Sequence, residues 1–216
     1  MNAAEPVRLS PSEPGWRELP QRPFSREFLD VREHIFSWFA DYYDRRHLAR
    51  AGDWMLVLEP TVPEPLVLAA LTHDLERSVP GGPIFDKATT SWDDVAYNTA
   101  HCERSAIIVS EWLERQGAPR EFVEGVRQPI REHEFGGSPE GDLIQAADSI
   151  SFLEVNGGLV SSWVLKGECS LGKAREKLDW MFERIRLARA REVGRPYHER
   201  SVAELRHRVP ASLGGS

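Results

Sequence analysis

Cysteine is nearly missing from this chain, with Cys102 and Cys169 the only two. That excludes a disulfide framework and any CxxC metal or redox motif, and it fits a reducing cytosol. No run of ~18 apolar residues occurs, so no membrane-spanning helix is expected. The opening MNAAEPVRLS lacks the apolar stretch of a secretion signal. Positive charge is short as well: 27 Lys and Arg stand against 34 Asp and Glu, a net −7. This argues against binding a nucleic acid polymer or an anionic membrane surface. Convincing strand patterns and internal repeats are also absent. The expectation is a soluble, cytoplasmic protein with neither nucleic acid nor membrane as partner.

What the chain does contain is helical periodicity. Its 216 residues suffice for one sizeable core, and most of its 7 tryptophans are expected there. Pro6, Pro11, Pro14, Pro20 and Pro23 make residues 1–24 an irregular arm. Ser25 is a plausible N-cap for a helix over 25–44, where Phe28, Val31, Ile35, Trp38 and Phe39 recur at helical spacing. A second helix over 45–59 has Ala51, Trp54, Met55 and Leu58 as its stripe, and Pro60, Pro63 and Pro65 end it. The stretch that organises the rest is PLVLAALTHDLER, 65–77. It is apolar nearly all round, as a buried helix is, and it runs into His73-Asp74. A Gly- and Pro-rich loop, 78–91, leaves from that pair and is expected to rim a site.

Trp92 or Asp93 opens a helix to Arg115, with His101, Ser105, Ile108 and Trp112 on one stripe. Pro119 opens another, with Phe122, Val126, Ile130 and His133, and Pro129 should kink it. Residues 142–155 place Ile144, Asp148 and Val155 on one face, and Asn156-Gly157-Gly158 breaks the helix. A last helix, 170–192, carries Ala174, Leu178, Met181, Ile185 and Ala188 on its core side and Lys173, Lys177, Trp180 and Arg184 beside it. The fold class is all-α, a single domain over 25–193, with a polar tail over 194–216.

Five elements thus bring a ligand-type residue to an apolar helix face: His47, His73-Asp74, His101, His133 and Asp148. Helical bundles build metal sites in this way, from inward side chains on separate helices. Four imidazoles and two carboxylates suit one or two divalent ions of Fe, Mn, Zn or Ni. Asp74 or Asp148 could bridge a pair, which lowers the pKa of bridging water and clamps phosphoryl oxygens. Each residue has a plainer reading too. His73-Asp74 could simply cap a helix, His101 and His133 could be core histidines, and Asp148 could be exposed. His133 lies between Glu132 and Glu134, as at a solvated helix end. His34 rivals His47 as the first ligand; His47 is preferred because its helix leads into the 65–77 stretch and carries Arg50. Glu76 could orient a ligand or act as general base, and Arg77 could contact phosphate. Lys173, Lys177 and Arg184 could reach a phosphate or form a solvated face, with Lys87 and Arg131 weaker candidates. His198 and His207 read as solvated.

The order of His47 with Arg50 three residues on, His73-Asp74, and Asp148 in AADSIS resembles the HD-domain superfamily of metal-dependent phosphohydrolases. His101 and His133 match its members that hold two metals. The resemblance covers residues 44–154. It implies an HD-type helical bundle in which His47, His73, Asp74, His101, His133 and Asp148 bind the metals. It also implies hydrolysis of a small phosphorylated substrate, a nucleotide among the options, by a metal-bound hydroxide. Asp74 and Glu76 would then be catalytic, and Arg77, Arg131, Lys173 and Lys177 would meet the substrate. A branch with the same six ligands uses a mixed-valence diiron pair to cleave C–P or C–C bonds with oxygen, and that alternative stays open. So does a non-catalytic HD-fold module that binds a ligand. A homodimer is left open by the Trp-rich surface.

Overall fold

The helix at the centre, α3 (Glu64–Thr72), is buried at every position from Leu66 to Thr72. Burying each Leu or Val side chain contributes about 1.5–3 kcal/mol, so this all-round apolar helix takes the middle of the core. Pro65 sits in its first turn, where the missing N–H costs nothing. Leu68, wholly buried, is the position where truncation to Ala would cost most, about 2–5 kcal/mol. The computed structural model describes residues 22–210, so all but the last three residues of the expected arm lie outside it.

Around α3 pack α1 (Arg26–Trp38), α2 (Arg45–Leu58), α5 (Arg120–Glu132) and α6 (Pro139–Val155). α4 (Val95–Arg115) lies against α5, and α2 against α6. Asp94, Ser138 and Ser170 cap their helices through side-chain oxygens, each cap stabilising by about 1 kcal/mol. Gly52 lets α2 close onto α3, for a Cβ there would lie 2.6 Å from the Leu71 side chain. The α2–α6 contact is tied by a buried ion pair. Arg50 Nε donates to Glu154 at 2.9 Å, and Trp54 Nε1 donates to the same carboxylate at 2.8 Å. The fold is all-α, one compact helical body, with no strand among the described residues.

Several elements differ from expectation. α1 stops at Trp38, and residues 39–44 form turns that bury Phe39 and Tyr42. α6 starts three residues early, at Pro139 behind its Ser138 cap. Asn156 separates α6 from a further helix, α7 (Gly157–Leu165), so the Asn-Gly-Gly break is one residue wide. Val160, Trp163 and Val164 bury its inner face. The expected helix over 170–192 is two: α8 (Leu171–Glu183) and α9 (Ala188–Arg208). Arg191 bridges the break, donating to the carbonyls of Glu183 at 2.7 Å and Ile185 at 2.8 Å.

The polar tail expected from 194 is therefore mostly α9, and the helical body extends to Val209. Tyr197, Ser201, Val202 and Leu205 are buried against α6 and α7, and Tyr197 meets the Trp54 ring at 5.6 Å. The stripe is narrow and includes small residues: Gly194 approaches Ile150 and Ile185 closely, and Ser201 Oγ donates to the Leu153 carbonyl at 2.5 Å. Among so many charged residues such a stripe reads as polar. His198 is also not solvated, since its Nε2 lies 2.7 Å from Asp179 and its ring stacks on Phe182. His207 is exposed, as expected.

Candidate metal centre

Each helix delivers its ligand-type residue near an end or in mid-span facing α3. His47 is in the first turn of α2, and His73 and His133 cap the C-termini of α3 and α5. Asp74 follows, starting a 3-10 turn over Leu75–Ser78. His101 and Asp148 sit within α4 and α6. All four imidazoles are buried. His34 is exposed on α1, so His47 is the histidine that joins the cluster.

The four rings are held from behind. Nδ1 of His73 donates to the Ala70 carbonyl at 2.9 Å, and Nδ1 of His133 to the Ile130 carbonyl at 2.6 Å. Nδ1 of His101 donates to Glu76 at 2.8 Å. His47 Nδ1 meets Ser151 Oγ at 2.5 Å, and that hydroxyl can pass its own proton to the carbonyl of His47 or Asp148, both at 3.2 Å. With Nδ1 engaged, every Nε2 is left to point inward, which is how ligating histidines are oriented.

Inside, the two carboxylates are wired alike. Asp148 Oδ1 lies 3.2 Å from His47 Nε2 and 3.4 Å from His73 Nε2, while Oδ2 pairs with Arg184. Asp74 Oδ1 lies 2.9 Å from His101 Nε2 and 4.0 Å from His133 Nε2, while its Oδ2 lies 3.1 Å from Arg77. Three groups, His47–His73–Asp74, His73–His133–Asp148 and Asp74–His101–His133, each have their ligand atoms within 4.8 Å of one another. Nε2 of His73 and of His133 is buried without a hydrogen-bond partner. An unpaired buried polar atom is costly, and a divalent ion is a partner that four inward Nε2 atoms and two carboxylates accept together. These buried groups can hold a metal ion. Asp74, His73 and His133 each belong to two of the three groups.

Electrostatics follow from that wiring. Burial alone raises both carboxylic acids, but Arg77 beside Asp74 and Arg184 beside Asp148 hold them well below the usual carboxylate range. Burial disfavours the His73 imidazolium, yet Asp148 and Asp74 around it raise it to about 9. Burial pushes His133 down to about 4, the neighbouring Glu134 opposing.

His47, Asp74 and Asp148 line a cavity of about 460 Å³, and His73, His101 and His133 lie behind them; the volume is within the usual range for small-molecule sites of roughly 300–1,000 Å³. Its rim includes Val79–Pro83 of the Gly- and Pro-rich loop, as the sequence suggests. Gly82 passes so close that a Cβ would lie 2.5 Å from Glu76 Oε2. Of the expected substrate contacts, Arg77 and Lys177 line this cavity and Arg131 and Lys173 do not. Arg131 pairs with Glu103 at 2.9 Å, and Lys173 with Glu176 at 3.2 Å. Arg77 is committed to Asp74 and donates to the Tyr97 hydroxyl at 2.7 Å. Glu76, expected to be catalytic, is engaged with His101 through Oε1 and lies 3.3 Å from Arg104 through Oε2. Arg50 is turned to Glu154 and takes no part.

Sequence reading missed two participants, Glu134 and Ser151, and gave Arg184 a different role. Glu134 is no solvated helix end: its side chain is buried against Arg184, which holds it down at about 2 in spite of burial. Arg184 is a clamp on Asp148 and Glu134 rather than a member of a solvated face, and its Nε donates to Ser149 at 2.8 Å. Ser151 braces His47. Only Ser151 left a signal, as a hydroxyl on a helix otherwise destined for burial. No family model matches the chain, and no curated protein or solved structure matches it either.

Proposed function

We propose that the protein is a metal-dependent hydrolase of the HD-domain kind that cleaves a small phosphate ester. One observation carries this reading: four imidazoles, each braced at Nδ1, converge through Nε2 on Asp74 and Asp148, and two of those Nε2 atoms are buried with carboxylates nearby but no hydrogen bond. His47, His73, Asp74 and Asp148 would hold one ion, and Asp74, His101 and His133 a second. Divalent ions in such a setting polarise a phosphoryl oxygen and acidify water.

The chain's own residues then have distinct tasks. Arg184 and Arg77 take the outer oxygen of each carboxylate, so that Oδ1 of each stays ionised and aimed inward. Glu76 fixes the His101 ring and is a positioning residue in this reading. Trp92, Phe152 and Trp180 give the cavity an aromatic wall, and low-polarity surface of that kind strengthens nearby charge interactions. Lys177 lines the same cavity and has no hydrogen bond or ion pair among the described residues.

The test is Asp74→Ala. The variant should lose bound metal and, with it, phosphate release from a panel of small phosphate esters. Normal metal content with normal turnover in that variant would sink the proposal. Iron-dependent oxygen consumption by the wild-type protein, without phosphate release, would replace it by the oxygenase reading.

A further inference from the structure

We infer that Lys177 and the rings of Trp92, Phe152 and Trp180 form a second anion subsite, so that the ligand of this cavity is a planar aromatic molecule bearing an acidic group opposite the end that meets the metal centre. This rests on the hydrolase reading only for that far end, where a phosphate ester is expected. Four cations line the cavity. Arg77 pairs with Asp74, Lys87 with Glu168, and Arg184 with Asp148 and Glu134. Lys177 has no hydrogen bond or ion pair among the described residues. Its amine instead lies 4.3 Å from the Trp180 ring centre, 5.0 Å from Phe152 and 5.2 Å from Trp92. Three ring faces hold the ammonium by cation–π attraction without neutralising it. The result is a positioned charge inside the cavity that feels Glu134 and Asp148 but has no carboxylate at ion-pair distance among the described residues.

The walls specify the rest of the ligand. Trp92 stacks on Phe85 at 4.9 Å and lies nearly parallel to Trp163 at 6.0 Å. Its Nε1 is already spent on the Lys173 carbonyl at 3.0 Å, so the indole is held by its edge. Rings fixed in this way favour a flat aromatic partner over a polar or saturated one. A cationic ligand is disfavoured, because the ammonium of Lys177 already fills the cage. The spacing is short: the Phe152 ring touches both Lys177 and, at 6.0 Å, the His47 ring. A ligand about one ring long therefore spans from Lys177 to the metal-ligand cluster.

The experiment uses phosphate-free probes, so it does not depend on hydrolysis. The metal-loaded protein is titrated with benzoate, benzamide and cyclohexanecarboxylate, followed by tryptophan fluorescence. Benzoate should bind at least ~10-fold more tightly than either of the others, as expected for one desolvated charge-assisted contact plus ring stacking. Lys177→Gln should lose that ~10-fold with metal content unchanged, and Lys177→Arg should retain most of it. Equal binding of benzoate and benzamide, or an unchanged Lys177→Gln variant, overturns the subsite. If the subsite holds, 4-carboxyphenyl phosphate should be hydrolysed with a lower KM than phenyl phosphate. Benzoate selectivity with no hydrolysis of either ester would retain the subsite and reject the phosphatase reading.

Discussion

The two halves of the centre share one wiring diagram but differ in how deeply it is set. On the Asp148 side the clamping Arg184 has a side chain only 7% exposed, held in addition by Glu134 and Ser149. On the Asp74 side Arg77 is 29% exposed and reaches the rim through Tyr97. The braces differ likewise. His47 leans on Ser151, a residue of the same helix as Asp148, whereas His101 leans on Glu76, whose other oxygen faces Arg104 at the loop. Similar ligand chemistry is therefore set at two depths at its clamps, although both halves reach the cavity, one through His47 and Asp148 and the other through Asp74. A tightly kept ion on the Asp148 side and an exchangeable one on the Asp74 side are the expected result.

The hardest blow to this asymmetry is Arg184→Met. It strands two adjacent buried carboxylates, Asp148 and Glu134, and should cost about 3–5 kcal/mol of stability in urea unfolding. Arg77→Met, on the Asp74 side, strands one carboxylate whose side chain is 13% exposed and should cost less, about 1–3 kcal/mol. Equal losses would end the comparison. Next comes the metal count. His101→Ala should leave about one ion per chain by elemental analysis, while His47→Ala should leave the protein with less than one, because the tighter half is the one damaged. Glu76→Gln should weaken only the exchangeable ion, about 10–100-fold, with the fold unchanged.

The smallest effect concerns pH. His73 in the metal-free protein stays protonated until about pH 9, whereas His133 is already neutral above about 4. A metal entering at pH 7 must displace the His73 proton, so affinity on the Asp148 side should rise with pH up to about 9, by up to tenfold per unit, and then level off. Calorimetry in buffers of different ionisation heat would count that proton. No proton released would show that His73 is not a ligand.

The parts of this site that were legible from the sequence are those written in residue type. Imidazoles and carboxylates at helical spacing on apolar faces are rare enough together to mark His47, His73, Asp74, His101, His133 and Asp148, and the structure brings all six to one place. Pairing is not written in residue type. Lys173 and Lys177 look alike along α8; Lys173 meets Glu176 three residues on along the same helix, and only packing shows that Lys177 faces the cavity. Arg184 and Arg131 are equally alike in sequence, yet one clamps Asp148 and the other meets Glu103 outside the cavity. α9 was illegible for a different reason. Its contact face mixes Gly194 and Ser201 with Ala190, Tyr197, Val202 and Leu205, and the two small residues allow a close approach that a hydrophobic pattern alone does not reveal.

Arg184 also sets a schedule. It reaches back 36 residues to Asp148 and 50 to Glu134, while Ser151 reaches 104 residues back to His47. Contacts so far apart in sequence must await loop closure, and they form late compared with the helices that carry them. During synthesis His47 and His73 emerge long before the arginine that fixes their carboxylate. The nascent chain therefore has imidazoles but no finished cluster, and the six ligand-type residues meet only once the chain has closed on itself.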